Sequence, residues 1–378
     1  MAEHDNDGLS RRDFLRTGSM GVLGAGALSG AALGAGAAAP PEACNKQAGM
    51  KYTVYGKTNL LVSRVGFGCH SLAPNSRGVL EAAIERGVNL VHVAPNYTGG
   101  RAIKTLGQVL AKHRDKVFVI LKAEPYGPLV ERCLRDLRTD HVDILMPPVT
   151  NEAGVRTPTR KHRLADLQRK GKVRFLGLTC HSRMADTVQA ATRLDFVSVL
   201  MPRYNPPIRD RLDPLLKRAR DKGIACQAMK VFLGIRDQAL WAASLKDLYR
   251  RGTMDVALIT FRSHQDLDAH LRVLGQLPDR AEAQALDHYV RAHRTDTCLG
   301  CAVCEDTCPQ HVAIPDILRY SRYYLAQCGE AASARGLYRA LPPDRTAAAC
   351  RDCGACERAC PNGLPVRTFL QEAHRALA

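Results

Sequence analysis

Two runs of cysteine near the C-terminus carry the most specific chemistry in this 378-residue sequence. Cys298, Cys301, Cys304 and Cys308 follow C-x2-C-x2-C-x3-C and precede Pro309. Cys350, Cys353, Cys356 and Cys360 repeat the spacing before Pro361, at an offset of 52 residues. A C-x2-C-x2-C turn curls three thiolates around one face of an iron-sulfur cubane, and the fourth cysteine, held before a proline, reaches the other cluster where two are present. The spacing therefore predicts two [4Fe-4S] clusters, one on Cys298, Cys301, Cys304 and Cys360, the other on Cys350, Cys353, Cys356 and Cys308. Zinc and disulfides are the alternatives. Zinc ribbons need only two ligand pairs, and disulfides would be ordinary in an exported chain with 14 cysteines, but neither requires two full runs with trailing prolines.

The 41 residues between Cys308 and Cys350 exceed what a hairpin needs. "IPDILRYSRYYLAQ" and "ASARGLYRAL" have helical spacing, and "LPVRTFLQEAHRAL" follows the second run. The segment 290–378 resembles an alpha-helical ferredoxin-like two-cluster domain.

The other end reads as an address. "SRRDFLRTG" sets Arg11 and Arg12 before Phe14 and Leu15, and a Gly-rich, mildly apolar stretch ends in "AGAAAP". Residues 1–39 resemble a twin-arginine signal peptide, with cleavage near Ala37 and a periplasmic or otherwise exported product. Repeated glycines argue against a retained membrane anchor, so no stable transmembrane segment is expected after cleavage. The twin-arginine route is generally associated with proteins that load cofactors before transport, which agrees with cluster cysteines at the far end.

The chain is basic, with 54 Lys and Arg against 37 Asp and Glu, a formal charge of +17. That suits nucleic acid, an anionic membrane surface or an acidic protein partner. Aromatic residues are 5% of the chain and no zinc-finger, helix-turn-helix or RNP-like pattern occurs, which sets nucleic acid aside. A redox partner protein, an acidic one on charge grounds, and a small-molecule substrate are the expected partners.

Eight short apolar runs, beginning near residues 64, 88, 116, 142, 173, 196, 223 and 255, alternate with amphipathic segments. Eight strand-helix units over roughly 240 residues predict an α/β fold, a closed (β/α)8 TIM barrel with its active site at the strand C-termini. An open doubly wound sheet is the alternative, and no G-x-G-x-x-G follows the first run.

"YGKTNLLVSRVGFGC", "RGVNLVHVAPNYTGG", "DLRTDHVDILM" and "GKVRFLGLTCHS" resemble successive landmarks of the aldo/keto reductases over residues 51–277, with the barrel itself placed at 51–285. The resemblance implies hydride transfer from NADP(H) to a carbonyl. It also implies a tyrosine acid tuned by a lysine, an aspartate paired with that lysine and a histidine that orients the carbonyl. Tyr97 and Lys122 occupy the first two positions. His92 stands at the aspartate position and Pro148 at the histidine position, so half of the tetrad is replaced. A lysine cation beside a phenol favours phenolate, and beside His92 the imidazole must stay neutral while the lysine pKa falls. Arg262 and Ser263 open a segment that could bind nucleotide phosphate, whereas Thr179 and Cys180 replace the family's Ser-Asn pair. Free nicotinamide is not expected outside the cytosol, so an exported enzyme would carry it in bound or draw electrons from the clusters.

Cys69, His70, His92, Cys180 and His181 would gather near the barrel mouth, where soft ligands could bind a transition metal, although packing is the more ordinary role. Cys44, Cys133, Cys226 and Cys328 have no assigned chemistry. Two classes remain: an oxidoreductase coupling the clusters to an organic substrate, and an exported electron carrier on a degenerate barrel. Replacement of both Arg11 and Arg12 by Lys should leave cluster-loaded protein in the cytosol by fractionation. Normal export of that variant would remove the signal assignment.

Overall fold

The computed structural model describes residues 39–149, 152–155 and 158–378, so all but the last residue of the proposed signal lies outside the described residues. Each of the eight apolar runs forms a strand: β1 (Val65–Gly68), β2 (Leu90–Val93), β3 (Phe118–Leu121), β4 (Val142–Leu145), β5 (Val173–Cys180), β6 (Val197–Pro202), β7 (Ala225–Ala228) and β8 (Val256–Ile259). They pair in parallel in chain order. β8 returns to β1, with Ala257 opposite Val65, and the sheet closes as an eight-stranded barrel. Helices follow the strands: α1 (Arg77–Glu85), α2 (Arg101–His113), α3 (Gly127–Leu137), α4 (Pro158–Arg169), α5 (Met184–Ala191), α6 (Arg209–Asp221), α7 (Ala239–Arg251) and α8 (His264–Arg272).

Strands covered on both faces must be apolar throughout, and "LVHV" and "FVIL" are buried at every position. The period of two then sorts them. Leu90, Phe118, Ile120, Ile144, Phe175, Val199, Met201 and Met229 pack inside the barrel, whereas Val91, Val93, Val119, Leu121, Leu145 and Leu200 belong to the layer beneath the helices. Carrying the inward phase two residues on along β2, β3 and β6 reaches His92, Lys122 and Arg203, and along β5 it reaches His181. The pleat thus directs four nitrogen-bearing side chains to the C-terminal mouth.

The opposite end is stoppered by a hairpin, Tyr52–Val54 against Leu60–Ser63. Tyr55 is fully buried there, and its hydroxyl donates to Gln227 Oε1 at 2.5 Å. The turn needs Gly56: φ is +52° and a Cβ would lie 2.4 Å from the Gly223 carbonyl oxygen.

Helix α9 (Arg280–Ala292) crosses the stretch between the barrel and the cysteine-rich segment and packs on α7, held by Lys246–Glu282 at 2.7 Å. The C-terminal part is all helical: α10 (Val303–Asp306), α11 (Ile314–Arg319) running into a π-helical turn Tyr320–Leu325, α12 (Ala331–Arg339), α13 (Ala355–Arg358) and α14 (Val366–Leu377). Its own core joins Ile314, Ile317, Leu318, Val366, Leu370 and Leu377. This helical module caps the strand C-termini. Arg183 donates its backbone N–H to the Gly300 carbonyl at 2.8 Å and its guanidinium to Asp306, and Gln327 donates to the Phe232 carbonyl at 3.2 Å.

A close approach of α2 and α3 depends on Gly107, whose missing Cβ would lie 2.1 Å from the Asp136 carbonyl oxygen. Gly107→Ala must push backbone apart, and a loss of about 1–3 kcal/mol is expected from the shift of the denaturant midpoint. An unchanged midpoint would show that the pair slides freely.

Candidate active site and cysteine cradles

The helical module repeats its backbone as well as its cysteines. Gly300 and Asp352, Ala302 and Gly354, and His311 and Gly363 all have left-handed φ, each pair at the same offset as the cysteines. Left-handed residues among helical ones turn successive N–H groups toward one concavity, which favours an anionic group. Two such concavities are present. Cys298, Cys301, Cys304 and Cys360 line one with Leu299, Leu318 and Leu364; Cys308, Cys350, Cys353 and Cys356 line the other with Val312, Ile314 and Leu370. The structure therefore brings each run of three together with the fourth cysteine of the other run. Gly300 and Leu364 donate N–H groups to the sulfurs of Cys298 and Cys360 at 3.3 and 3.4 Å.

Four thiols and several apolar side chains line each cradle, a donor set that fits a [4Fe-4S] cubane. No disulfide joins any of the 14 cysteines.

The barrel mouth lies against the first cradle. Arg203, only 4% exposed, donates to the Cys298 carbonyl at 3.1 Å. Lys122 follows β3 and sets its Nζ 3.1 Å from His181 Nε2, just beyond β5. Burial first, and Arg319 second, lower the Lys122 pKa to about 8. His92 is buried and neutral, its pKa held near 3 by burial, Lys122 and His70. The imidazole bonded to Lys122 is thus His181.

Tyr97 follows β2 and opens a tight turn in which Thr98, Gly99 and Gly100 are left-handed. Its ring lies 4.7 Å from that of His70 and 5.9 Å from that of His92. His70 Nδ1 in turn pairs with Glu330 of the helical module at 3.0 Å. The expected lowering of the Tyr97 pKa is not what these neighbours produce: burial, then Tyr324, Cys69 and Glu330, raise it. Lys122 is not among the groups that shift the phenol, and no phenolate is stabilised in this arrangement. Pro148 starts a two-residue strand beside Thr179 and Cys180, with its carbonyl accepting from Arg160 at 3.4 Å.

Arg262 and Ser263 stand at the N-terminus of α8, where two of the backbone N–H groups are already taken. Ser263 Oγ accepts from the Asp266 N–H at 3.0 Å, and the Asp266 carboxylate accepts from the Arg262 N–H at 3.0 Å. A phosphate would meet that carboxylate. Cys69 and Cys180 are buried thiols whose pKa values burial raises, and they gather no metal-binding group with His70, His92 and His181.

Residues absent from the sequence reading complete the mouth. Lys230 follows β7 with φ +58°, and its Nζ lies 3.1 Å from the Tyr323 ring centroid and 4.8 Å from that of Tyr324. Lys230 closes the apolar run that begins near residue 223, and Arg203 stands two residues past the run that begins near 196, so the strand-end rule could have flagged them. Arg319, Tyr323 and Tyr324 come from the helical module, and nothing local in the sequence places them here.

Residues 71–239 match the aldo/keto reductase family. Residues 297–365 match the 4Fe-4S dicluster domain. The chain carries both domains. It is similar to Aldo-keto reductase YhdN of Bacillus subtilis, 24% identical over 209 residues, which cover 46% of this chain and 60% of that protein. A shorter match to Methylglyoxal reductase YeaE of Escherichia coli is 35% identical over 74 residues, 18% of this chain and 26% of that one. Each match spans less than two thirds of the relative. Aldo-keto reductase AKR11C1 from Bacillus halodurans, in its holo form, shares the fold at TM-score 0.53 and 17% identity, covering 64% of this chain and 96% of that one.

If the cradles exchange their fourth ligands, Cys360→Ser should perturb the cluster whose other ligands are Cys298, Cys301 and Cys304. Electron paramagnetic resonance of the reduced protein should then lose or alter one of two cluster signals while the other persists. Loss of the Cys350 cluster alone would overturn the pairing.

Proposed function

We propose that the protein is an exported iron-sulfur oxidoreductase in which two [4Fe-4S] clusters pass electrons singly to or from an organic substrate, a carbonyl compound in the first instance, at the barrel mouth. The observation that carries this reading is the seam: the Cys298 cradle is hydrogen-bonded to Arg203 at the end of β6, and Glu330 and Tyr324 of the same module stand on His70 and Tyr97. An electron carrier with an idle barrel would not need its cluster module seated on the residues where barrel enzymes do chemistry.

Bound clusters would supply or accept one electron each. Reduction of a carbonyl to an alcohol consumes two electrons and two protons, and this chain offers its proton-bearing groups at the mouth. Tyr97, with a raised pKa, keeps its proton until a stronger base develops on the substrate. Lys122, with a pKa of about 8, holds a transferable proton near neutral pH. Neutral His92 and His181 can relay a proton, taking it on one ring nitrogen as the other gives one up, so that no net charge builds on either ring. NADP(H) is a poorer fit, because the module covers the mouth and Asp266 occupies the helix end where a phosphate would bind.

The second cradle points outward: Cys353 is exposed, whereas the first cradle faces the barrel. A redox partner would therefore meet the second cluster, and the overall positive charge favours an acidic one.

Anaerobic protein should hold about eight irons. It should turn over carbonyl compounds with an artificial one-electron donor and poorly with NADPH, and the rate should fall as pH rises past about 8, where Lys122 loses its proton. Tyr97→Phe should lower the donor-driven rate by about 100-fold or more with iron content unchanged. Robust turnover with NADPH would show that His92 and Pro148 are tolerated in nicotinamide chemistry and would remove the carrier reading, whereas an unaltered rate in Tyr97→Phe would assign the proton to another acid.

A further inference from the structure

The mouth holds more positive charge than its surroundings balance. Lys122, Lys230 and Arg319 are half-buried and Arg203 is buried; Lys122 touches His181 at 3.1 Å, and all four cations act on that imidazole. Among the described residues no carboxylate pairs with Lys122, Lys230 or Arg203; their polar contacts are His181 for Lys122, the two tyrosine rings for Lys230 and the Cys298 carbonyl for Arg203. Of the acids at the mouth, Asp316 takes one nitrogen of Arg319 at 2.7 Å and leaves both lysines without a counter-charge, while Glu330 is engaged on His70. Cys328, the remaining ionisable neighbour of Lys230, is a thiol whose pKa burial raises.

A tyrosine face offsets only part of what burial of an unpaired charge costs. Unused donors point the same way: His181 Nδ1, Arg203 Nε and Arg319 Nε are buried without a hydrogen-bond partner. Lys230 also keeps a left-handed backbone that a side chain disfavours, and its ring partners Tyr323 and Tyr324 belong to a π-helical turn; both features tend to mark functional positions.

We infer that Lys122, Lys230 and Arg319 form an oxyanion-binding site about His181, which takes the carboxylate or phosphate of a small organic molecule. This rests on the oxidoreductase reading above for its reaction but not for its binding. The substrate class it adds is an anionic carbonyl compound, its charged group held by the lysines and arginine beneath the first cluster cradle. The anion supplies the counter-charge that the fold omits.

The test is calorimetric titration of the anaerobic, cluster-loaded full-length protein with 2-oxobutanoate, with its uncharged methyl ester and with inorganic phosphate, in the absence of any electron donor. One equivalent of an anion should bind, more weakly at higher ionic strength, and the ester should bind about tenfold less tightly or worse. Binding of 2-oxobutanoate alone assigns a carboxylate, of phosphate alone a phosphate ester, and of both a general oxyanion site. Lys230→Gln should weaken the anion about tenfold, whereas Lys230→Arg should retain it, with iron content and circular dichroism unchanged in both. Equal binding of ester and acid, no binding of either anion, or an unaltered affinity in a folded Lys230→Gln protein would overturn the site. Anion binding without donor-driven turnover would leave the site standing and remove the reaction. Turnover of the neutral ester with no anion preference would do the reverse.

Discussion

An ammonium group withdrawn from water needs a counter-charge or an aromatic face, and at the mouth of this barrel Lys122 and Lys230 are given imidazole and tyrosine where a carboxylate would be ordinary. Much of the local structure answers to that constraint. His92 and His181 must be neutral, since burial and the surrounding cations both oppose their protonation. The Lys122 pKa is drawn down by burial and by Arg319, and Lys230 is depressed by burial, Arg319, Lys122 and Arg203 together. Each cation makes the next harder to hold. The helical module makes the arrangement tenable by laying Tyr323 and Tyr324 over Lys230, so the cover of the mouth and its charge are one design.

The same seam orders the cofactor chemistry. Gly300 lies between two cysteines of the first run and also against the barrel, where a Cβ would stand 2.8 Å from the Arg203 guanidinium and 3.1 Å from the His181 carbonyl oxygen. The loop that would wrap a cluster is therefore in contact with the residues at the strand ends. Arg203 touches both sides, with one nitrogen on the Cys298 carbonyl and another without a partner. A buried guanidinium beside a cluster favours the state carrying more negative charge, which is the reduced one.

Short, near-continuous apolar runs gave all eight barrel strands their places, because parallel strands buried on both faces leave a signal that local sequence carries in full. The cysteine runs were equally legible: cradle membership, including the crossing of Cys308 and Cys360, follows from spacing and a proline. The surroundings of Tyr97 were not. The sequence places Tyr97 and Lys122 at the ends of adjacent strands, which invites the pairing that the family resemblance implies. What sets the phenol's environment is Tyr324 and Glu330, more than 220 residues away in the chain, and no periodicity announces a contact of that range. Ser263 has a local role that its position alone does not announce, since its hydroxyl caps α8 and the Asp266 carboxylate accepts from the Arg262 N–H beside it.

The two departures from the family pattern acquire a joint explanation from the charge balance. A carboxylate at position 92, on the inward phase of β2, would pair with Lys122 and cancel the charge that an incoming anion would meet. His92, unprotonated at any physiological pH, leaves that charge uncompensated. Pro148 removes a side chain that would otherwise orient a carbonyl from β4, and orientation then falls to groups that grip the other end of the substrate. An anionic handle held by Lys122, Lys230 and Arg319 fixes a small molecule as firmly as a hydrogen bond to its carbonyl, because charge-assisted bonds are roughly twice as strong as neutral ones. On the reading proposed above, the positioning role that the family resemblance would give to a residue at the end of β4 passes to the charged group of the substrate.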